Sequence, residues 1–426
     1  MVIKSLIEGL AFLRFAPPDS QTVPSRRTDL DWLRVALFAM VILHHIGMFY
    51  TSNWGWHAKS QYRSEWLESV LLILEPWRMP AIWLISGIAI RFVLAKVNLI
   101  RFISMRTLRL LLPLLFGILV IVPPQLYIEM SLRGEIDMHY GTFFIAFLQP
   151  DHPIFERYTW GIWPHIDVNH LWYLRSLWYY SLYVVFLLPI LNSQMIANLT
   201  QRFAQLSGFS AVLILCLPVF ILQLLWGQDE WRYPIGFLFL LYGYLLGWQP
   251  ELWRKIHKST RPLFITFVLC TGALILAYNR HWIAIMQGAQ ASIDIEMLLV
   301  SIYSLTRIIG VLLMLSLTKY LMTTTSNLYH YCNDAVYPIY ILHQTVIIVL
   351  GYQLNQLQLG PVAQPIVLFS GTLILCGLLY ELIRRLDLLR PLFGLKMQGR
   401  YPPRLQQLGY ASAAVLLSPL LITLIL

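Results

Sequence analysis

The sequence predicts an all-α integral membrane protein of about ten transmembrane helices, and three observations carry that prediction. Of its 426 residues 58% are hydrophobic and only 12% charged, with a mean hydropathy of +0.63, a composition foreign to soluble domains. Apolar stretches long enough to cross a bilayer recur along the whole chain. The basic residues fall in alternate connections, so the formal net charge of +10 reads as membrane orientation rather than nucleic-acid binding.

The first span is DWLRVALFAMVILHHIGMFY, residues 31–50. It carries Arg34, His44 and His45, and ionisable groups inside a span point to function by default, because each is costly to insert. Arg34 and His45 are about three turns apart, roughly 16 Å along one helix face, and His44 is turned about 100° away. Asp31 lies one turn before Arg34 and can pair with it. The blander alternatives are an Arg34 that snorkels to the interface and a His45 bonded to a neighbouring helix.

Further spans read at 77–95, 110–130, from His170 to 191, and at 209–226, 233–249, 262–279, 297–317, 335–353 and 363–383. The apolar tail at 410–426 is a candidate eleventh, although its length is marginal. Residues 1–28 form a cytoplasmic segment in which 1–16 reads as an interfacial helix rather than a cleavable signal. Residues 29–395 form one transmembrane domain, and 396–426 a tail. With the N-terminus inside, 21 of the 31 Lys and Arg residues fall in inner segments, which fits the positive-inside rule.

Two connections have more to say than the others. TSNWGWHAKSQYRSEWLESV, after the first span, is aromatic and charged and suits the outer interface. The stretch 131–169 is polar and about forty residues long, so it is the candidate binding lid. Its acids and histidines lack metal-ligand spacing. Cys216, Cys270, Cys332 and Cys376 likewise suggest neither a disulfide framework nor a zinc site. No metal and no tightly bound cofactor is expected.

A histidine held in a membrane interior is biased toward neutral imidazole, the form a general base needs, so His45 suits proton abstraction. Its orienting partner is not visible in the sequence; Glu75, Asp167, His170 and Glu381 are the candidates, and His343 is a further intramembrane histidine. Arg106 and Arg109 stand one turn apart at the start of the third span and point the same way, an arrangement suited to a phosphate-bearing ligand. Ser86-Gly87, in the second span, reads as a close-packing position.

These residues fall into an ordered set of motifs: LDWLRV followed by HH in the first span, WRMPAIWLISG in the second, RTLRLLLP opening the third, HLWYL opening the fourth and VYPIYILHQ in the ninth. The set resembles the acyltransferase family 3 membrane proteins over roughly residues 29–395. WGWHAKS and YELIRRLDLLRPLFG look most like the branch that succinylates osmoregulated periplasmic glucans.

The resemblance implies a multi-pass protein of the inner (plasma) membrane that takes an acyl group from cytoplasmic acyl-CoA and gives it to a hydroxyl of an extracytoplasmic glycan. It implies His45 as base, or as a transient acyl carrier, and Arg34 as the group that holds or polarises the donor. Arg106 and Arg109 match the family's paired arginines and would hold CoA. His57, Arg78, His170, Trp172 and His343, contributed by the matched motifs, would bind substrate. The rival class is a transporter or exporter of a polysaccharide or its precursor, using the same residues as a path, but no repeat of the kind transporters carry is seen.

Overall fold

The computed structural model describes residues 26–398 apart from 150, 159–164, 227–229 and 322–324. The expected interfacial helix at 1–16 and the candidate span at 410–426 lie outside the described residues. Among those residues the chain folds into helices without β-strands, and nine helical runs are long and apolar enough to cross a membrane. The remaining expected span is present as Arg232–Leu246, a shorter apolar helix of 15 residues, about 22 Å long. The protein is thus an all-α, multi-pass membrane protein.

Helix boundaries follow local chemistry. Ser193, Ser207, Ser292 and Ser326 each accept a hydrogen bond from the backbone N–H three residues on, satisfying a donor that the first turn leaves unpaired. One boundary differs from expectation. The third span begins at Leu99 rather than 110, with the Asn98 side chain accepting from the Arg101 N–H at 2.9 Å. Arg101, Arg106 and Arg109 break the apolar run and conceal those first turns. The helix ends at Phe116, passes through a π-turn at Gly117–Ile121 and resumes as Pro123–Leu132, since the proline pair cannot continue the N–H ladder.

Two compact units divide the chain. Unit 1 takes residues up to 37, 75–106 and 179–325, and unit 2 takes 38–74, 107–178 and 326 onward. The first, third and fourth spans each contribute to both.

In unit 1 the second span, Glu75–Leu94, meets Arg232–Leu246 backbone to backbone. A Cβ at Gly87 would lie 1.9 Å from the Leu240 carbonyl oxygen, and one at Gly243 would lie 1.9 Å from that of Leu84. Only glycine fits at either place. Among the shorter helices, Pro250–Lys258 buries Trp253 and Ile256. Its Lys255 reaches the carbonyls of Ala204 and Leu206 at 2.7 and 3.1 Å, where the C-terminal end of Gln194–Gln205 attracts a cation.

Unit 2 is built on Asn327–Gln356 and Gly360–Arg385. Ile347, Ile348, Leu354 and Leu368 pack with Ile42, Ile46 and Phe49 of the first span and the residues after it. The connection that follows is strapped down. Lys59 donates to the Met48 and Thr51 carbonyls and to the Thr51 hydroxyl at 2.7–2.9 Å, and burial pushes its ammonium down to about 8. Glu68 accepts from the Asn53 N–H and side-chain amide at 2.6 and 3.0 Å.

The stretch 131–169 is more structured than its polar composition suggests. Tyr140, Phe143, Phe144 and Phe147 recur at helical spacing and form the helix Tyr140–Phe147. Phe143, Phe147 and Phe155 close a small core with Met130 and Ile136. His165 stacks on Phe155 with ring centroids 3.9 Å apart and donates to the Phe147 carbonyl at 2.6 Å. Burial holds its imidazole below the ordinary histidine range, the carbonyl partly offsetting this.

Candidate functional site

Four histidines singled out from the sequence stand near one another in unit 2. His45, in the last turn of Thr28–Met48, places Nδ1 2.8 Å from Nε2 of His343. The two rings are nearly parallel, with centroids 5.0 Å apart. His343 in turn places Nδ1 2.6 Å from the Tyr340 carbonyl oxygen. His170 stands edge-on to His343 at 5.4 Å and bonds through Nε2 to the Ile341 carbonyl at 2.9 Å. His57 pairs its Nδ1 with Glu129, which also bonds Arg133 at 2.5 Å.

Three side-chain amides connect His170 with His57. Gln125 donates to Thr345 at 2.6 Å and to His170 Nδ1 at 3.4 Å. Its oxygen accepts from Asn169 at 3.0 Å and from Gln344 at 3.1 Å. Gln344 also donates to the Asn169 oxygen at 2.9 Å. The Asn169 amide reaches Nε2 of His57 with its nitrogen at 3.1 Å and its oxygen at 3.2 Å. Asn169 adopts φ +45°, a left-handed conformation that asparagine tolerates better than most residues. Trp56 covers the network, its ring 5.1 Å from that of His45 and 5.7 Å from that of His57.

The side chain bonded to Nδ1 of His45 is that of His343, which the sequence offered as a further intramembrane histidine rather than among the four orienting candidates. Asp167 accepts from the Val168 N–H at 2.7 Å, Glu381 pairs with Arg384 and Arg385, and Glu75 pairs with Arg78. His170 lies beside His343 and bonds a backbone carbonyl. A partner about three hundred residues away in sequence carries no local signal, which is why it was missed. Gln125, Glu129, Asn169 and Gln344 were missed too; two visible signals were an amide inside an apolar span and the adjacency of Gln344 to His343.

The remaining candidates stand elsewhere. Arg34 pairs with Asp31 at 3.6 Å, as expected from their spacing, in the half of the first span that belongs to unit 1. Arg78 is buried in unit 1 and bonded to Glu75 at 3.2 Å. Arg106 lays its guanidinium 5.5 Å from the Phe102 ring centre. Arg109 is exposed, and its backbone carbonyl accepts from the Tyr337 hydroxyl at 2.8 Å. Trp172 opens the helix Trp172–Leu191, and the ring of His44 packs 5.9 Å from Trp54.

A family model described as an acyltransferase domain matches residues 27–381. The chain belongs to acyltransferase family 3. Every residue of the network just described lies inside the matched range. The chain is also similar to glucans biosynthesis protein C of Escherichia coli strain K12, of strain SMS-3-5 / SECEC and of O1:K1 / APEC. Each is 26% identical over 156 residues, which is 36% of this chain and 37% of the relative. The chain thus spans little more than a third of the length of these curated relatives. No solved structure matches this family 3 chain.

Proposed function

We propose that this protein is an O-acyltransferase of the inner (plasma) membrane that moves an acyl group from cytoplasmic acyl-CoA to a hydroxyl of an extracytoplasmic carbohydrate. Family membership supports the reaction class, and the name of the similar E. coli proteins points to a glucan as acceptor. The single observation that carries the reading is His45. It is an imidazole on a membrane span, held through one ring nitrogen by a second imidazole, whose ring stands edge-on to His170 of the amide network.

In this reading His45 takes the proton of the acceptor hydroxyl as its oxygen bonds to the thioester carbonyl carbon. The carbon–sulfur bond then breaks, and the departing thiolate receives that proton. No proton is gained or lost overall. General-base assistance of this kind is worth about 10²- to 10⁴-fold. Arg34 holds or polarises the donor, and Arg106 and Arg109 hold the phosphates of CoA through charge-assisted bonds.

The test is incubation of the purified full-length protein with radiolabelled succinyl-CoA or acetyl-CoA and glucan oligosaccharides. Label should pass to the glucan in the wild type and not in His45→Ala, while that variant still binds CoA. Transfer by His45→Ala at the wild-type rate overturns the reading. Movement of glucan across proteoliposome membranes without acylation would replace it with export.

A further inference from the structure

We infer that His343 is a positioning residue that fixes which nitrogen of His45 carries the proton. This rests on the acyl-transfer reading above but concerns a different residue. The argument starts from the Tyr340 carbonyl, because a carbonyl oxygen can only accept. With Nδ1 of His343 2.6 Å from that oxygen, Nδ1 must be the N–H, and in a neutral ring Nε2 then carries the lone pair. Nε2 of His343 lies 2.8 Å from Nδ1 of His45, so Nδ1 of His45 is the donor. His45 is thereby held in the Nδ1–H tautomer, and its basic lone pair sits on Nε2.

The same logic makes the arrangement one-directional around it. His170 donates through Nε2 to the Ile341 carbonyl and accepts at Nδ1 from Gln125. Both histidines beside the base thus donate to the carbonyls of consecutive residues on one helix. His343 is completely buried, and its ring is nearly parallel to that of His45. When His45 takes a proton, its bond to His343 becomes charge-assisted and stronger, so the interaction favours the protonated state of the base over the resting one.

The role is that of an orienter, and a glutamine can reproduce it. The glutamine amide oxygen reaches about as far as Nε2 of histidine and accepts in the same place, whereas leucine fills the volume without accepting. His343→Leu should lower kcat for glucan acylation by about 10²- to 10⁴-fold, the scale of losing the correct tautomer in a catalytic histidine. The Kd for CoA should be unchanged, and His343→Gln should regain at least tenfold of the loss. A leucine variant with wild-type kcat overturns the inference, as does a glutamine variant no better than leucine while both bind CoA normally. Should leucine fail to accumulate, glutamine decides alone: a kcat below about a thousandth of wild type in a CoA-binding protein overturns the role. None of these outcomes touches the base assignment, which stands or falls on His45→Ala.

Discussion

Each unit buries a polar cluster, and the two clusters are made of different chemistry. In unit 1 the participants carry permanent charge. Arg307 is wholly inaccessible, with its guanidinium 4.5 Å from the Trp231 ring centre and 4.7 Å from that of Tyr303. It donates to the Pro76 carbonyl at 3.0 Å and to Gln223 at 2.9 Å, while Arg78 holds Glu75. In unit 2 most participants are imidazoles and amides that donate and accept, with Glu129 and Arg133 beside His57. A guanidinium cannot give up its proton at any accessible pH, so Arg78 and Arg307 can only hold shape or charge. A base must change protonation state near the working pH, and the imidazoles of the second cluster are groups of that kind.

The largest expected effect separates the two histidines of the first span. His45→Ala should cost about 10²- to 10⁴-fold in turnover with donor binding retained, whereas His44→Ala should keep substantial turnover. Steady-state rates beside CoA binding by calorimetry would measure this. Equal losses from both variants would reduce the unit 2 network to packing.

Next comes the guanidinium cluster. Arg307→Met removes the cation from Gln223, Trp231 and Tyr303 and leaves Glu75 with less compensation, and breaking a buried charged arrangement costs about 3–5 kcal/mol. Arg307→Lys should recover little, since an ammonium lacks the planar fork and stacks poorly. Thermal unfolding in detergent would report both. A lysine variant of normal stability but without turnover would move this cluster from architecture to chemistry and dissolve the contrast.

A smaller loss is expected from Asn169→Gly. Glycine takes φ +45° without strain, so the change isolates the side chain, leaving Gln344 and Gln125 short of partners at about 1–3 kcal/mol. Turnover should fall more than stability if the amides hold the histidines in place. A loss confined to stability would make them a simple filler.

The smallest effect concerns pH and the aromatic core of 131–169. His165 has its folded value held below the ordinary histidine value by burial, so an opened chain binds the proton more readily than the packed one. Its packing is fully stable above about pH 6.5 and weakens as pH falls through that value. Protection factors in Tyr140–Phe147, taken against the intrinsic exchange rate at each pH, should fall on acidification, and His165→Gln should blunt that response. Protection that rises in acid would reverse the sign.

How much of this was legible depends on the residue type. The histidines announced themselves, because an ionisable ring in an apolar span is expensive and stands out, and family motifs placed His57, His170 and His343 in order. The amides did not. Gln125, Asn169 and Gln344 are common in interfaces and connections, and only their convergence on one another gives them meaning. The start of the third span was written in Asn98, a cap, yet the arginines that follow outweighed it in hydropathy. The helix Tyr140–Phe147 was legible by aromatic spacing but hidden by the acids around it. Arg34 and Asp31 paired as their one-turn spacing implied.

The paired glycines of unit 1 have a mechanical consequence. Gly87 faces the Leu240 carbonyl and Gly243 faces that of Leu84, so each helix has a notch that receives the other's backbone. Sliding one helix by a single residue, about 1.5 Å, would drive a side chain into the notch. The joint is therefore a detent: it blocks shear between Glu75–Leu94 and Arg232–Leu246, and in any conformational cycle those two helices travel as one piece.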